Sequence, residues 1–111
     1  MVTLKLKEQS IVLTEEGFLH DFRAWDESVA IALARREGLV LSEAHWEIIR
    51  FMRAYYLRFQ HLPNMRMFVK AVAQTLGHEK GNSGYLHRLF PKGPLHYACK
   101  LAGLPKPPYC L

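Results

Sequence analysis

Two side chains in this 111-residue chain can do thiol chemistry. Cys99 lies in the stretch LHYACKLA, and Cys110 comes eleven positions later in LAGLPKPPYCL. The pair fits no common zinc pattern, because there is no CxxC and no third cysteine. In a reducing compartment such a pair points to redox or carrier chemistry rather than a structural staple. Prolines at 105, 107 and 108 keep the segment before Cys110 extended, close to polyproline II. The stretch from Gly103 to Cys110 can therefore span about 22 Å at ~3.1 Å per residue. Stiffening also lowers the conformational entropy lost when such an arm docks. The arm can carry Cys110 outward to a partner or fold it back toward Cys99. Lys100 and Lys106 stand nearby, and positive charge favours the reactive thiolate. From these residues alone, an incidental surface thiol at 110 and a small core residue at 99 remain open.

Charge is unevenly spread. Residues 1–47 carry nine acidic and five basic side chains, whereas residues 48–111 carry ten Lys and Arg against one acid, Glu79. The second half should present positive potential to phosphates, an acidic partner or a thiolate. The six histidines include no i, i+4 pair with a helper carboxylate, so neither a metal nor a cofactor is expected. GNSG lacks the lysine and preceding strand of a phosphate-cradling loop. No apolar run approaches the roughly 20 residues needed to span a bilayer, and the first residues lack the apolar core of a signal peptide. These features predict a cytoplasmic protein that does not insert into membranes.

Those side chains must be positioned by a single domain, residues 1–103, with 104–111 as the arm. TLKLK and SIVLT alternate in polarity and predict a small β-hairpin over about 3–13. Asp26 can cap a helix over about 27–37 that ends at Gly38, and Ser42 with Glu43 opens another over 42–60. In the latter, Trp46, Ile49, Met52, Tyr56 and Phe59 recur every three or four residues, as a core-facing stripe does. Further helices are expected over about 64–76, 83–90 and 94–102, with Pro94 in a first turn. The third and fourth, joined by GHEKGNSG, resemble a helix-turn-helix. Since Tyr85, Leu86, Leu89 and Phe90 leave that short helix few side chains to read bases, direct DNA binding is disfavoured. The expected fold is a mainly α single-domain bundle with an N-terminal hairpin and an extended, flexible C-terminal arm. A monomer is expected, because the aromatic stripe is accounted for by the core.

HWEIIRFMRAYYLRF, MRMFVKAV, EKGNSGYLHRLFPKGP and CKLAGLPKPPYCL, in that order, resemble the DsrC/TusE family of small sulfur-carrier proteins. The resemblance runs from about Glu15 to the C-terminus. It implies a helical bundle with an N-terminal hairpin, and a penultimate cysteine, Cys110, that accepts sulfane sulfur as a persulfide and passes it on. Two branches follow. The TusE-type branch takes sulfur from an upstream relay complex to the enzyme that makes 2-thiouridine in tRNA, and needs only the terminal cysteine. The DsrC-type branch works with dissimilatory sulfite reductase and has a second cysteine eleven positions earlier, where Cys99 stands as a resolving thiol. RMFVKA and YLHRLFPKGP look closer to the tRNA branch. The ending PPYCL departs from the PTGC common in dissimilatory members, and its Pro108 and Tyr109 make folding back harder. The TusE-type relay is the favoured reading, the DsrC-type pair the first alternative and a helix-turn-helix DNA-binding module the second. Arg66, Lys70, Lys80, Arg88, Lys92 and Lys100 are the cations placed to stabilise an anionic persulfide or bind partners. Such a sulfurtransferase-type carrier can act stoichiometrically.

Overall fold

Period-two alternation builds the N-terminal hairpin. The computed structural model describes residues 2–6 and 9–108, and its first elements are strands β1 (Val2–Leu6) and β2 (Gln9–Leu13), paired antiparallel. Leu4 stands opposite Ile11 and Val2 opposite Leu13, so the apolar residues of both strands share one face. That face is laid on the core, where Ile11 and Leu13 are buried, while Thr3 and Lys5 point to solvent.

Five helices follow, and their ends are set by local chemistry. Helix α1 (Glu27–Arg36) starts where the Asp26 carboxylate accepts from the Val29 amide at 3.0 Å. It ends in a Schellman turn: Gly38, at φ +73°, donates to Arg35 O, and Leu39 donates to Ala34 O. Helix α2 (Glu43–Phe59) opens on a capping box closed by His45 rather than by an acid. His45 Nδ1 accepts from the Ser42 amide at 3.0 Å, which leaves the proton on Nε2. Nε2 then donates to Leu89 O at 2.7 Å, tying the start of α2 to the segment around residue 89.

The stripe on α2 is only partly a core face. Ile49 and Met52 are fully buried and Trp46 and Tyr56 half-buried, but Phe59 is 46% exposed. The last turn of α2, with Leu57, Arg58 and Phe59 all exposed, runs past the edge of the bundle before Gln60 ends it in the left-handed region. Helices α3 (Met65–Leu76) and α4 (Ser83–Leu89) are capped by Asn64 and Asn82. Asn82 also donates to His78 O and Glu79 O, closing the turn between them. Gly81 makes the tight approach possible: a Cβ there would lie 2.2 Å from the Ala73 backbone. This is the helix-turn-helix-like segment, and its short helix gives Leu86 and the following Phe90 to the core.

Helix α5 (Pro94–Leu101) begins with proline at its first position and is the most enclosed of the five. Leu95, Ala98, Cys99 and Leu101 sit in the same core cluster as Phe18, Ile49, Met52 and Phe68. Among the described residues, no helix is long and apolar enough to cross a membrane.

Candidate functional site

The arm leaves α5 through a second Schellman turn. Gly103, at φ +72°, donates to Lys100 O at 3.2 Å, and Leu104 donates to Cys99 O at 3.0 Å. Two more helix-end carbonyls are satisfied from outside. The Trp25 indole N–H donates to Leu101 O at 2.8 Å, and Arg53 Nη1 donates to Ala102 O at 2.7 Å. Arg53 is itself held between rings, its guanidinium 4.3 Å from the Phe22 centroid and 4.1 Å from that of Trp25. Burial pulls the Arg53 pKa down from its ordinary value, yet an arginine so placed stays protonated. The result is a rigid launch point. Cys99 lies buried beneath it, Leu104 is fully buried, and Pro107 is buried further along.

Cations gather beside that exit. Lys100, 6% exposed, lies 3.5 Å from Glu37 and faces the rings of Tyr97 and Phe18 at 5.0 and 5.3 Å. Gly17 lies alongside it, within ordinary contact distance of the Lys100 ammonium. On the arm, Lys106 pairs with Glu16, the neighbour of Gly17, which brings the arm back past Lys100. That ion pair holds the Glu16 carboxyl below its ordinary pKa. His96 stands edge-on to Phe18 at 5.0 Å. Its pKa is lowered, first by burial and then by Lys100 and Lys106. Glu16 and Glu37, the partners of those lysines, oppose them at His96, so it is chiefly burial that disfavours a second proton there.

The basic residues singled out from the sequence do not all meet here. Lys100 and Lys92 share Glu37 and Tyr97 as neighbours, Lys92 bordering a small cleft of about 150 Å³. Lys80 is paired with Glu47 at 2.7 Å, and that carboxylate raises its pKa. Arg66 and Lys70 are exposed on α3, and Arg88 is exposed on α4 beside Gly84. Cys110 and Tyr109 lie outside the described residues. Among the described residues, no group of three His, Cys, Asp or Glu side chains is arranged to hold a metal ion. Sequence reasoning missed Trp25 and Arg53, because neither belongs to a local motif. They meet the arm exit from 76 and 49 residues away in the chain. The one available signal was an arginine on the otherwise apolar side of α2, at position 53 beside Met52 and Tyr56.

Comparison with known proteins gives a consistent result. The family model described as "DsrC like protein" matches residues 5–111. The chain is 50% identical to Sulfurtransferase TusE of Photorhabdus laumondii over the full length of both chains. It is 56% identical to Sulfurtransferase TusE of Sodalis glossinidius over 86% of this chain and 89% of that one. Among solved structures, DsrC of Allochromatium vinosum superposes with a TM-score of 0.90 at 45% identity, covering 98% of this chain and 97% of that one. The oxidized γ-subunit of dissimilatory sulfite reductase (DsrC) from Archaeoglobus fulgidus gives 0.82 at 40% identity, covering 99% and 100%.

Proposed function

This chain belongs to the family of DsrC-like proteins, and from that premise we propose that it is the persulfide carrier of a cytoplasmic sulfur relay, of the TusE type. Cys110 is the carrying thiol. As thiolate it attacks the outer sulfur of a donor cysteine persulfide; the donor S–S bond breaks, a new S–S bond forms on Cys110, and the donor leaves as thiolate. No external oxidant is consumed. The next thiol takes the outer sulfur in the same way, so the protein works as a monomeric shuttle between an upstream relay complex and a tRNA-thiolating enzyme.

The observation that carries this reading is the built exit of the arm. The turn after α5 differs from the one after α1 in being backed from outside by an indole and an arginine, which fix the direction in which the arm leaves the helix. From the Lys106–Glu16 anchor, the four residues to Cys110 reach about 12 Å, at ~3.1 Å each. Lys106 and Lys100 both act on His96, so Lys100 lies near that anchor, and to Lys100 together with Lys92 we assign stabilisation of the persulfide anion.

A DsrC-type reading is favoured by one observation, the presence of Cys99 on α5 directly under the arm exit. There Cys99 attacks the inner sulfur of the Cys110 persulfide, releasing hydrosulfide and leaving a Cys99–Cys110 disulfide. Intact mass after incubation with a persulfidated donor separates the two. An adduct of about 32 Da that needs Cys110 and is retained by Cys99→Ala supports the single-thiol relay. Conversion of loaded wild type to a form about 2 Da below the reduced protein supports the two-cysteine chemistry. Loading that persists in Cys110→Ser refutes the assignment.

A further inference from the structure

The last turns of α2, together with α3, line a groove of about 600 Å³ away from the arm exit, in which, among the described residues, Phe51 alone also packs against the core cluster. Its floor is apolar: Phe51, Ala54, Tyr55 and Phe59 from α2, Met67 and Ala71 from α3. Phe59 and Met67, 46% and 47% exposed, both line it and make its apolar surface contiguous across the two helices. The margins carry Arg58, His61 and Lys70, with Arg66 one turn before Lys70, and among the described residues no carboxylate lines the groove. Residues 51, 54, 55 and 58 follow a helical stripe distinct from Ile49, Met52, Arg53 and Tyr56, which face the core and the arm exit.

We propose that this groove docks an acidic amphipathic helix of a partner protein. Its walls run over residues 51–59 and 67–75, each about 12 Å of helix at ~1.5 Å per residue. That length takes anchors at i, i+3 or i+4, and i+7 of a bound helix. Met67 supplies an adaptable thioether for aliphatic anchors, and the cationic margins select acidic flanks. A second copy of this chain is disfavoured, because a two-fold contact would bring together two margins that carry Arg58 and Lys70 and, among the described residues, no carboxylate. Single-stranded nucleic acid is disfavoured because the rings are turned on one another. Tyr55 lies 4.7 Å from Phe59 and 6.3 Å from Phe51, both tilted, which leaves no open platform for bases. Docking here would hold a partner without occupying the arm's exit, which the sulfur chemistry by itself does not require.

The test uses the full chain and two synthetic stapled helices with Leu at i, i+3 and i+7, one flanked by Glu and one by Lys. Backbone amide NMR shifts should move on residues 51–59 and 67–75 with the Glu-flanked helix and not with the Lys-flanked one. The double variant Arg58→Glu/Lys70→Glu, both exposed positions, should weaken the first at least tenfold and admit the second. No binding by the Glu-flanked helix, or binding indifferent to the charge reversal, overturns the proposal. So does tighter binding of a single-stranded RNA dodecamer at the same residues, or concentration-dependent shifts that reveal self-association there. Loading of Cys110 by sulfur is not part of the readout, so failure here is distinguishable from failure of the carrier assignment.

Discussion

Alanine at Gly103 tests whether the arm is launched as described. Two penalties act there. At φ +72° an L-residue meets its own carbonyl, at about 1–2 kcal/mol. Its Cβ would also stand 2.5 Å from Trp25 Cδ1 and 2.9 Å from Cβ and Cγ of the same side chain. Trp25 has little freedom to retreat, since its N–H is bonded to Leu101 O and its face lies under Arg53. Overpacking of this kind adds about 1–3 kcal/mol, for a total near 2–5 kcal/mol. Gly38 is a matched control. It ends α1 in the same turn at φ +73°, and an alanine methyl there would meet nothing within 4 Å. Gly38→Ala should therefore lose only the backbone penalty, and the unfolded-state entropy gained with alanine is common to both. In urea, with m of about 1–3 kcal/mol per M, the two midpoints should differ by about 1 M, Gly103→Ala being the lower. A Trp25→Ala background removes the Cδ1 and Cγ clashes and keeps the Cβ contact at 2.9 Å, so most of the excess should be lost there, a coupling that a double-mutant cycle reads directly. Equal losses at Gly38 and Gly103 would refute the steric account and, with it, the idea that Trp25 fixes the arm's exit.

Two further outcomes follow from the same geometry. Arg53→Met keeps the apolar stem between Phe22 and Trp25 but strips the Ala102 carbonyl of a charged donor. It should lose about 2–3 kcal/mol in urea denaturation, with faster amide exchange concentrated at Gly103 and Leu104. His96 has its pKa lowered in the fold, so the unfolded chain binds the proton more readily. Its contribution to stability is complete above the ordinary imidazole value of about 6.5 and is lost as pH falls through the lower, folded one. Chemical denaturation across pH 5 to 8 should show that slope, and His96→Asn should flatten it.

Much of the architecture was legible because it is local. The hairpin follows from alternation in TLKLK and SIVLT. Helix starts follow from Asp26 and Ser42 and a stop from Gly38, whereas the caps supplied by Asn64 and Asn82 were found in the structure. The thiols, the proline-stiffened arm and the basic second half are likewise properties of composition and order. Where the stripe on α2 failed, at Phe59, periodicity continued but the bundle beneath it had ended. A helix carries its pattern regardless of whether a neighbour is there to cover it.

The sequence by itself determined which side chains could carry sulfur, which elements exist and which family they compose. Only tertiary structure decided how the arm's exit is held and which cations lie beside it. Trp25, Arg53 and Glu16 reach the C-terminal segment from distant parts of the chain, while Lys80 pairs with Glu47 on α2. The physical reason is range. Capping and periodicity act over three or four residues, whereas the exit turn, the buried Lys100 and the exposed α2–α3 groove arise only when helices pack and choose which faces to cover.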